Sequence, residues 1–204
     1  MEKNFIKYSL RFFVYFLLFI CLGRFVDCRA SRFVYDHVVG PTSCKKTLYF
    51  DSSMSLHDNL VVRSAAEEWE EVTDGAVSFE VIEDFELKNM SKLKYNKDNI
   101  VVVVVDEDSE ILRNYEKTSK PSYIVGYFSK DYDVPMIILV RGRMESFAYY
   151  KAVVMHEMGH SLGLKHSSEE GTIMYPFIDM ASRHVTELDL KDFCKNYYCG
   201  IERR

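Results

Sequence analysis

The run HEMGHSLGLKH, from His156 to His166, decides how this sequence is read. Four residues of α-helix turn the chain by about 400°, so His156 and His160 project from one face, a turn apart, where they can share a metal ion. Two ligands then come from one rigid element. Glu157 follows the first ligand by about 100° of rotation, which can put its carboxylate beside a water on the metal rather than on the metal itself. A general base belongs there. Gly163 permits a left-handed turn that ends the helix and brings His166 back as a third ligand, and zinc held by three protein ligands keeps a fourth position open for water. With each specified residue at a few per cent, chance would produce the whole pattern in such a chain roughly once in 100,000. His37, His57 and His184 have no such spacing and read as ordinary core or surface histidines.

Outward from this run, Ala148, Ala152, Met155, Gly159 and Leu162 recur at helical spacing, so the helix begins near Ser146 and ends at Gly163. Upstream, KKTLYFD (Lys45 to Asp51) reads as a strand, and a helix from about His57 to Thr73 aligns Val61, Ala65, Trp69 and Val72. Ala76 to Glu83 alternates as a strand, and NIVVVVV (Asn99 to Val105) suits a strand buried on both faces. Asp106 to Pro121 is polar and turn-rich, then Tyr123 to Phe128 and Pro135 to Val140 read as strands around a turn at Lys130 to Asp133. Thr186, Glu187, Leu188 and Asp189 form a capping-box pattern that opens a last helix, which stops near Gly200. The expected class is α+β, an α/β-type sandwich of one sheet against helices.

The pattern HExxHxxGxxH resembles that of the metzincin zinc endopeptidases, in which a methionine turn follows beneath the metal. Thr172, Ile173, Met174, Tyr175 and Pro176 supply that turn, with Met174 as its methionine. Ser167 directly after His166 and the TIMYP form of the turn are most similar to the matrixin branch, the matrix metalloproteinase type of peptidase family M10. The resemblance covers about Lys45 to Gly200. It implies a twisted, mixed five-stranded sheet with two long helices and a C-terminal helix, one catalytic zinc on His156, His160 and His166, and Glu157 as the catalytic base. It also implies an edge strand that binds extended substrate backbone; on the sequence this is Pro135 to Arg141, with Ile137, Ile138 and Leu139 against the substrate. A side-chain pocket is expected between the zinc helix and Tyr175 to Met180, drawing on Tyr175, Pro176 and Phe177, with Ile178 beside them; a plain core role is the alternative for Phe177 and Ile178. Three family features depart from this chain. The PRCGxPD switch motif is missing, and no histidine lies between Asp106 and Val140 for a second zinc site. No hemopexin-like domain is seen. Calcium on Asp106, Asp108, Asp131 or Asp133 is a weaker expectation, since scattered acids more often form a solvated turn.

The amino terminus reads as an address. Lys3, Lys7 and Arg11 precede an apolar run from Phe12 to Leu22, closed by Gly23 and Arg24, the order of a secretory signal. Twelve uncharged residues separate Arg11 from Arg24, fewer than the roughly 20 a membrane span needs. Domains are therefore expected as a signal peptide at 1–23, with a cut as late as 30, an extension at 24–44 and a catalytic domain at 45–204. The early cut leaves Cys28, Cys44, Cys194 and Cys199, an even set suited to two disulfides in an oxidising compartment.

The 204 residues are 48% hydrophobic and 28% charged, a balance that builds a core rather than a disordered chain. The net charge is -5, and removing residues 1–23 makes it two charges more negative. Scattered basic residues and this acidity argue against a nucleic-acid partner. The expectation is a secreted, monomeric, zinc-dependent endopeptidase acting on a protein or peptide substrate. A signal-anchored form is the alternative address. The alternative function is a peptide-binding or inhibitory protein on a metzincin scaffold with non-catalytic zinc, against which Glu157 argues because a binder needs no carboxylate beside the open metal position.

Overall fold

The computed structural model describes residues 44–118, 124–177 and 183–197. The signal segment, most of the extension, Cys28 and Cys199 lie outside the described residues. The valine run forms the central strand β3 (Asn99–Val105), buried along nearly its whole length. Branched side chains on both faces favour an extended backbone covered from both sides. Alternation then divides the core. Val102 and Val104 join Leu48, Phe50, Ile137 and Leu139 under the long helices, whereas Val101 and Val103 join Leu112, Ile138 and Val140 on the other face.

Parallel to β3 run β1 (Cys44–Asp51) and β5 (Met136–Val140), and β1 also pairs in parallel with β2 (Val77–Phe85). The short strand β4 (Gly126–Ser129) pairs antiparallel with β5, in a register that sets Phe128 opposite Ile137 and Gly126 opposite Leu139. The sheet order is β2-β1-β3-β5-β4. This corrects the edge-strand expectation. Pro135 to Arg141 is not an edge, because β5 lies between β3 and β4, and Ile137, Ile138 and Leu139 are fully buried. They are core residues. The sheet edge on this side is β4.

Helix α1 (Leu56–Val72) opens on a capping box in which the Ser55 hydroxyl accepts from the Asp58 amide at 3.2 Å and the Asp58 carboxylate accepts from the Ser55 amide at 2.8 Å. Its buried face of Val61, Val62, Ala65, Ala66 and Trp69 packs on the sheet and on α3 (Phe147–Ser161). The wholly buried Trp69 donates its indole N–H to the Met155 carbonyl at 3.0 Å, which ties the two helices together.

Between β3 and β4 a further helix, α2 (Glu110–Thr118), stands in the segment expected to be turn-rich. The Ser109 hydroxyl accepts from the Leu112 amide at 3.2 Å, and Leu112 is fully buried. Tyr115 stacks on Tyr127 with ring centroids 3.7 Å apart. The charged residues of the window mask this one apolar face in the sequence. A short 3₁₀ turn, Leu87–Lys92, was likewise not foreseen. The last helix, α4 (Glu187–Tyr197), begins after Thr186 as the capping pattern predicts, and its buried Phe193 lies 6.3 Å from Trp69. Cys44 is a free, half-buried thiol, which removes it from the two-disulfide arrangement expected of the four cysteines.

Candidate metal centre

Ser146 caps α3 by accepting from the Tyr149 amide at 3.2 Å, and the helix then carries His156, Glu157 and His160 through its last turns. At its end Gly163 takes φ +86, and the Leu164 amide returns to the Gly159 carbonyl at 2.9 Å. Only a residue without a Cβ adopts this conformation freely. The reversal brings His166 back over the helix.

The three imidazoles meet there. Their ligand atoms all lie within 4.8 Å of one another, the one such group of metal-ligating side chains among the described residues. Asp106, Asp108, Asp131 and Asp133 do not assemble into a second, and Asp106 instead lies 3.3 Å from Arg141. Calcium therefore has no support.

Hydrogen bonds fix the tautomers. A carbonyl oxygen only accepts, so the 2.7 Å contact from His156 Nδ1 to the Ile173 carbonyl and the 3.0 Å contact from His160 Nδ1 to the Leu164 carbonyl put a proton on each Nδ1. Each Nε2 then keeps a lone pair for a metal. The Nε2 atoms of His160 and His166 are 3.1 Å apart. Two nitrogens bound tetrahedrally to one zinc at about 2.0–2.1 Å stand roughly 3.3 Å from each other, so the set fits zinc. Burial, reinforced by its histidine neighbours, lowers the His156 pKa to about 4. Burial also lowers that of His160, with the charges of His166 and Lys130 adding to the effect. Both rings are held in the neutral form that binds metal.

Glu157 projects towards β4. Burial pushes its carboxyl up to about 8, while a hydrogen bond from the Phe128 backbone pulls the other way. A cation on the adjacent histidines would draw the group back towards its ionised form. The carboxyl thus sits between the metal ligands and the sheet edge.

Beneath them, Met174 fills a space that Gly159 leaves. A Cβ built on Gly159 would stand 2.3 Å from Met174 Sδ and 3.4 Å from the Trp69 ring. The turn carrying Met174 is clamped by Asp189 of α4, whose buried carboxylate accepts from the amides of Ile173 at 3.0 Å and Met174 at 3.2 Å. Because the Ile173 carbonyl holds His156, Asp189 reaches the ligand through one peptide unit. The capping motif pointed to Asp189 as a helix start, but nothing in the sequence tied it to the metal ligands.

Tyr175 is half-buried, with its ring 6.0 Å from that of Phe177. Pro176 and Phe177 are exposed, so Phe177 has no core role. Ile178 and Met180, expected further along the same pocket, lie outside the described residues.

The Matrixin family profile matches residues 53–197 of the chain. Among solved structures, an archaemetzincin from Methanopyrus kandleri is similar at 13% identity and a TM-score of 0.52, over 76% of this chain and 96% of its own. Metalloproteinase-II from Bacteroides fragilis shows 14% identity and a TM-score of 0.46, over 76% of this chain and 53% of its own. High choriolytic enzyme 1, a hatching-enzyme zinc-protease from the medaka fish Oryzias latipes, shows 11% identity and a TM-score of 0.45, over 76% of this chain and 90% of its own. The likeness to the archaemetzincin is one of fold. No curated protein sequence matches the chain.

Proposed function

We propose a function from the premise that this chain belongs to the matrixin family of zinc peptidases: it is a secreted, zinc-dependent endopeptidase that cuts extended peptide bound along β4. The observation that carries the reading is the pair of backbone-anchored imidazoles beside a buried carboxyl, with the proton of each on Nδ1 and the lone pair of each Nε2 turned to the shared site. His156, His160 and His166 would hold the metal. Zinc bound there supplies a Lewis acid for the scissile carbonyl and lowers the pKa of a water.

The chain's own residues supply the rest. The outer edge of β4 offers backbone N–H and C=O groups to a substrate strand, which would pass beside Glu157 because that carboxyl lies against Phe128. Glu157 takes a proton from the attacking water and returns it to the leaving amine nitrogen. The Ile173 and Leu164 carbonyls keep the two helix imidazoles neutral and oriented through the cycle. Secretion rests on the basic and apolar amino terminus, and it takes Cys194 as one half of a disulfide.

The test is incubation of the purified chain, its zinc content measured, with a mixed peptide library, alongside chelator and Glu157→Ala. Cleavage that disappears in both controls is expected. Bound zinc without cleavage of any peptide would overturn the endopeptidase reading in favour of a binding protein on the same scaffold.

A further inference from the structure

Past Phe128 the outer strand ends at Ser129, Lys130 follows it, and the surface there opens into a cleft of about 470 Å³. Phe128 and Gly163 both line it, which ties the cleft to the strand beside Glu157 and to the turn that carries His166. Four lysines line it: Lys45, Lys46, Lys97 and Lys130. In a chain of net charge -5, this concentration of positive charge is local.

Two of the four are already neutralised. Lys46 is buried and pairs with Asp98 at 2.7 Å, also donating to the Lys97 carbonyl at 3.3 Å. Lys45 pairs with Glu80 at 2.9 Å. Lys97 and Lys130 are exposed and have no ion pair among the described residues; the Lys130 ammonium sits 5.6 Å over the Phe128 ring. A solitary exposed lysine is an ordinary solvated group. Two unpaired ones in one concave site, beside the mutually neutralised Lys46 and Asp98, focus a positive potential on whatever lies along the strand end.

We propose that this cleft receives an acidic side chain of the substrate, with Lys97 and Lys130 as the residues that set the preference. That the acidic group belongs to a substrate rests on the peptidase reading; the charge of the cleft does not. A strand added antiparallel to β4, the more stable pairing, runs against it. The substrate residue opposite Lys130 is then two positions to the amino side of the residue opposite Phe128, so Asp or Glu is favoured two to four residues before the cut bond. Parallel addition would move the preference to the carboxyl side.

The experiment measures binding first, so that it stands apart from turnover. Labelled peptides that differ only in Glu, Gln or Lys, placed one position at a time over four residues on each side of a cut bond, are titrated onto the full chain carrying Glu157→Ala. The same peptides are titrated onto that chain with Lys97→Glu and Lys130→Glu added. The expected result is about three- to tenfold tighter binding of the Glu peptide than the Gln peptide on the amino side. The ratio shrinks as salt shortens the Debye length from about 10 Å at 0.1 M, and it falls to one or inverts in the double charge reversal. Cleavage ratios on the zinc-loaded chain with Glu157 intact should follow the same order. Equal binding of Glu and Gln peptides at every position overturns the proposal even if all of them are cut, as does a Glu preference that the double charge reversal leaves unchanged. A Glu preference in binding with no cleavage upholds the cleft and overturns the peptidase reading instead.

Discussion

Glu157 is the residue on which both the chemistry and a stability signature turn. As the proposed general base it would contribute to rate rather than to metal retention, so Glu157→Ala should keep its zinc, read by metal analysis, and lose about 10²- to 10⁴-fold in kcat/KM. Its burial predicts more. In the metal-stripped chain its pKa is raised from 4.5 to about 8, so between those values the folded state holds a proton that the unfolded state has released. Stability then falls as pH rises through that window. His156 and His160 act with the opposite sign, because their lowered values make the unfolded state the better proton binder, and their contribution is lost as pH falls below 6.5. Of these three groups, only the carboxyl changes its contribution from pH 6.5 to 8. Thermal melts in chelator should show the wild-type midpoint declining over that range and Glu157→Gln flat; a flat wild-type curve would mean that the buried carboxyl is already ionised. At this scale the sequence was highly legible. The spacing of His156, Glu157, His160 and His166 follows from helix periodicity and one left-handed glycine, both local properties. The depth of Glu157 against Phe128 was not legible, since it depends on a strand nearly thirty positions away.

Elements support the site in ways that motif spacing does not disclose. Met174 was readable from the resemblance of its turn to that of the metzincins, but the void that admits it comes from Gly159 of α3, with Trp69 of α1 closing the far side. Gly159→Ala should therefore cost about 1–3 kcal/mol of stability by overpacking, visible as a lower denaturation midpoint, unless the methionine turn moves. Asp189 joins α4 to the same turn. Asp189→Ala should weaken zinc binding about 10- to 100-fold, in addition to losing a helix cap worth about 0.5–2 kcal/mol. Competition with a zinc indicator separates the two effects: a loss of stability with unchanged zinc affinity would reduce Asp189 to a cap. Gly126 plays a similar part for β4, because a Cβ there would stand 2.9 Å from Val153 of α3. That close approach seats the sheet edge over the zinc helix. The strand pattern located both β4 and β5 but could not order them, because neighbours in a sheet are chosen by crossover topology. The complete burial of Ile137, Ile138 and Leu139 belongs to an interior strand, so the edge falls on β4 and not on Pro135 to Arg141.

Over the whole molecule, a metal on the three imidazoles would join the end of α3 to the loop that carries His166, while the apolar core packs apart from it. Trp69, Met155, Phe193 and the two faces of β3 bury one another across α1, α3, α4 and the sheet, an apolar core against which His156 alone of the three imidazoles is buried. The overall class was legible for the same reason, since valine runs and amphipathic helices state what must be covered. Helix α2 was the exception because its single apolar face is diluted by charge. A small zinc module, by contrast, unfolds when its metal is removed. Here chelation should remove only the stabilisation that binding adds, about 4 kcal/mol at a thousandfold excess of zinc over its dissociation constant. For a domain of this size that lowers the midpoint by about 10 °C. Far-ultraviolet circular dichroism at 25 °C should be nearly the same with and without zinc, and the melt should stay cooperative. Collapse of the helical signal on chelation at 25 °C would show that the sheet and helices do not hold each other, and that the metal is part of the core rather than a tool mounted on it.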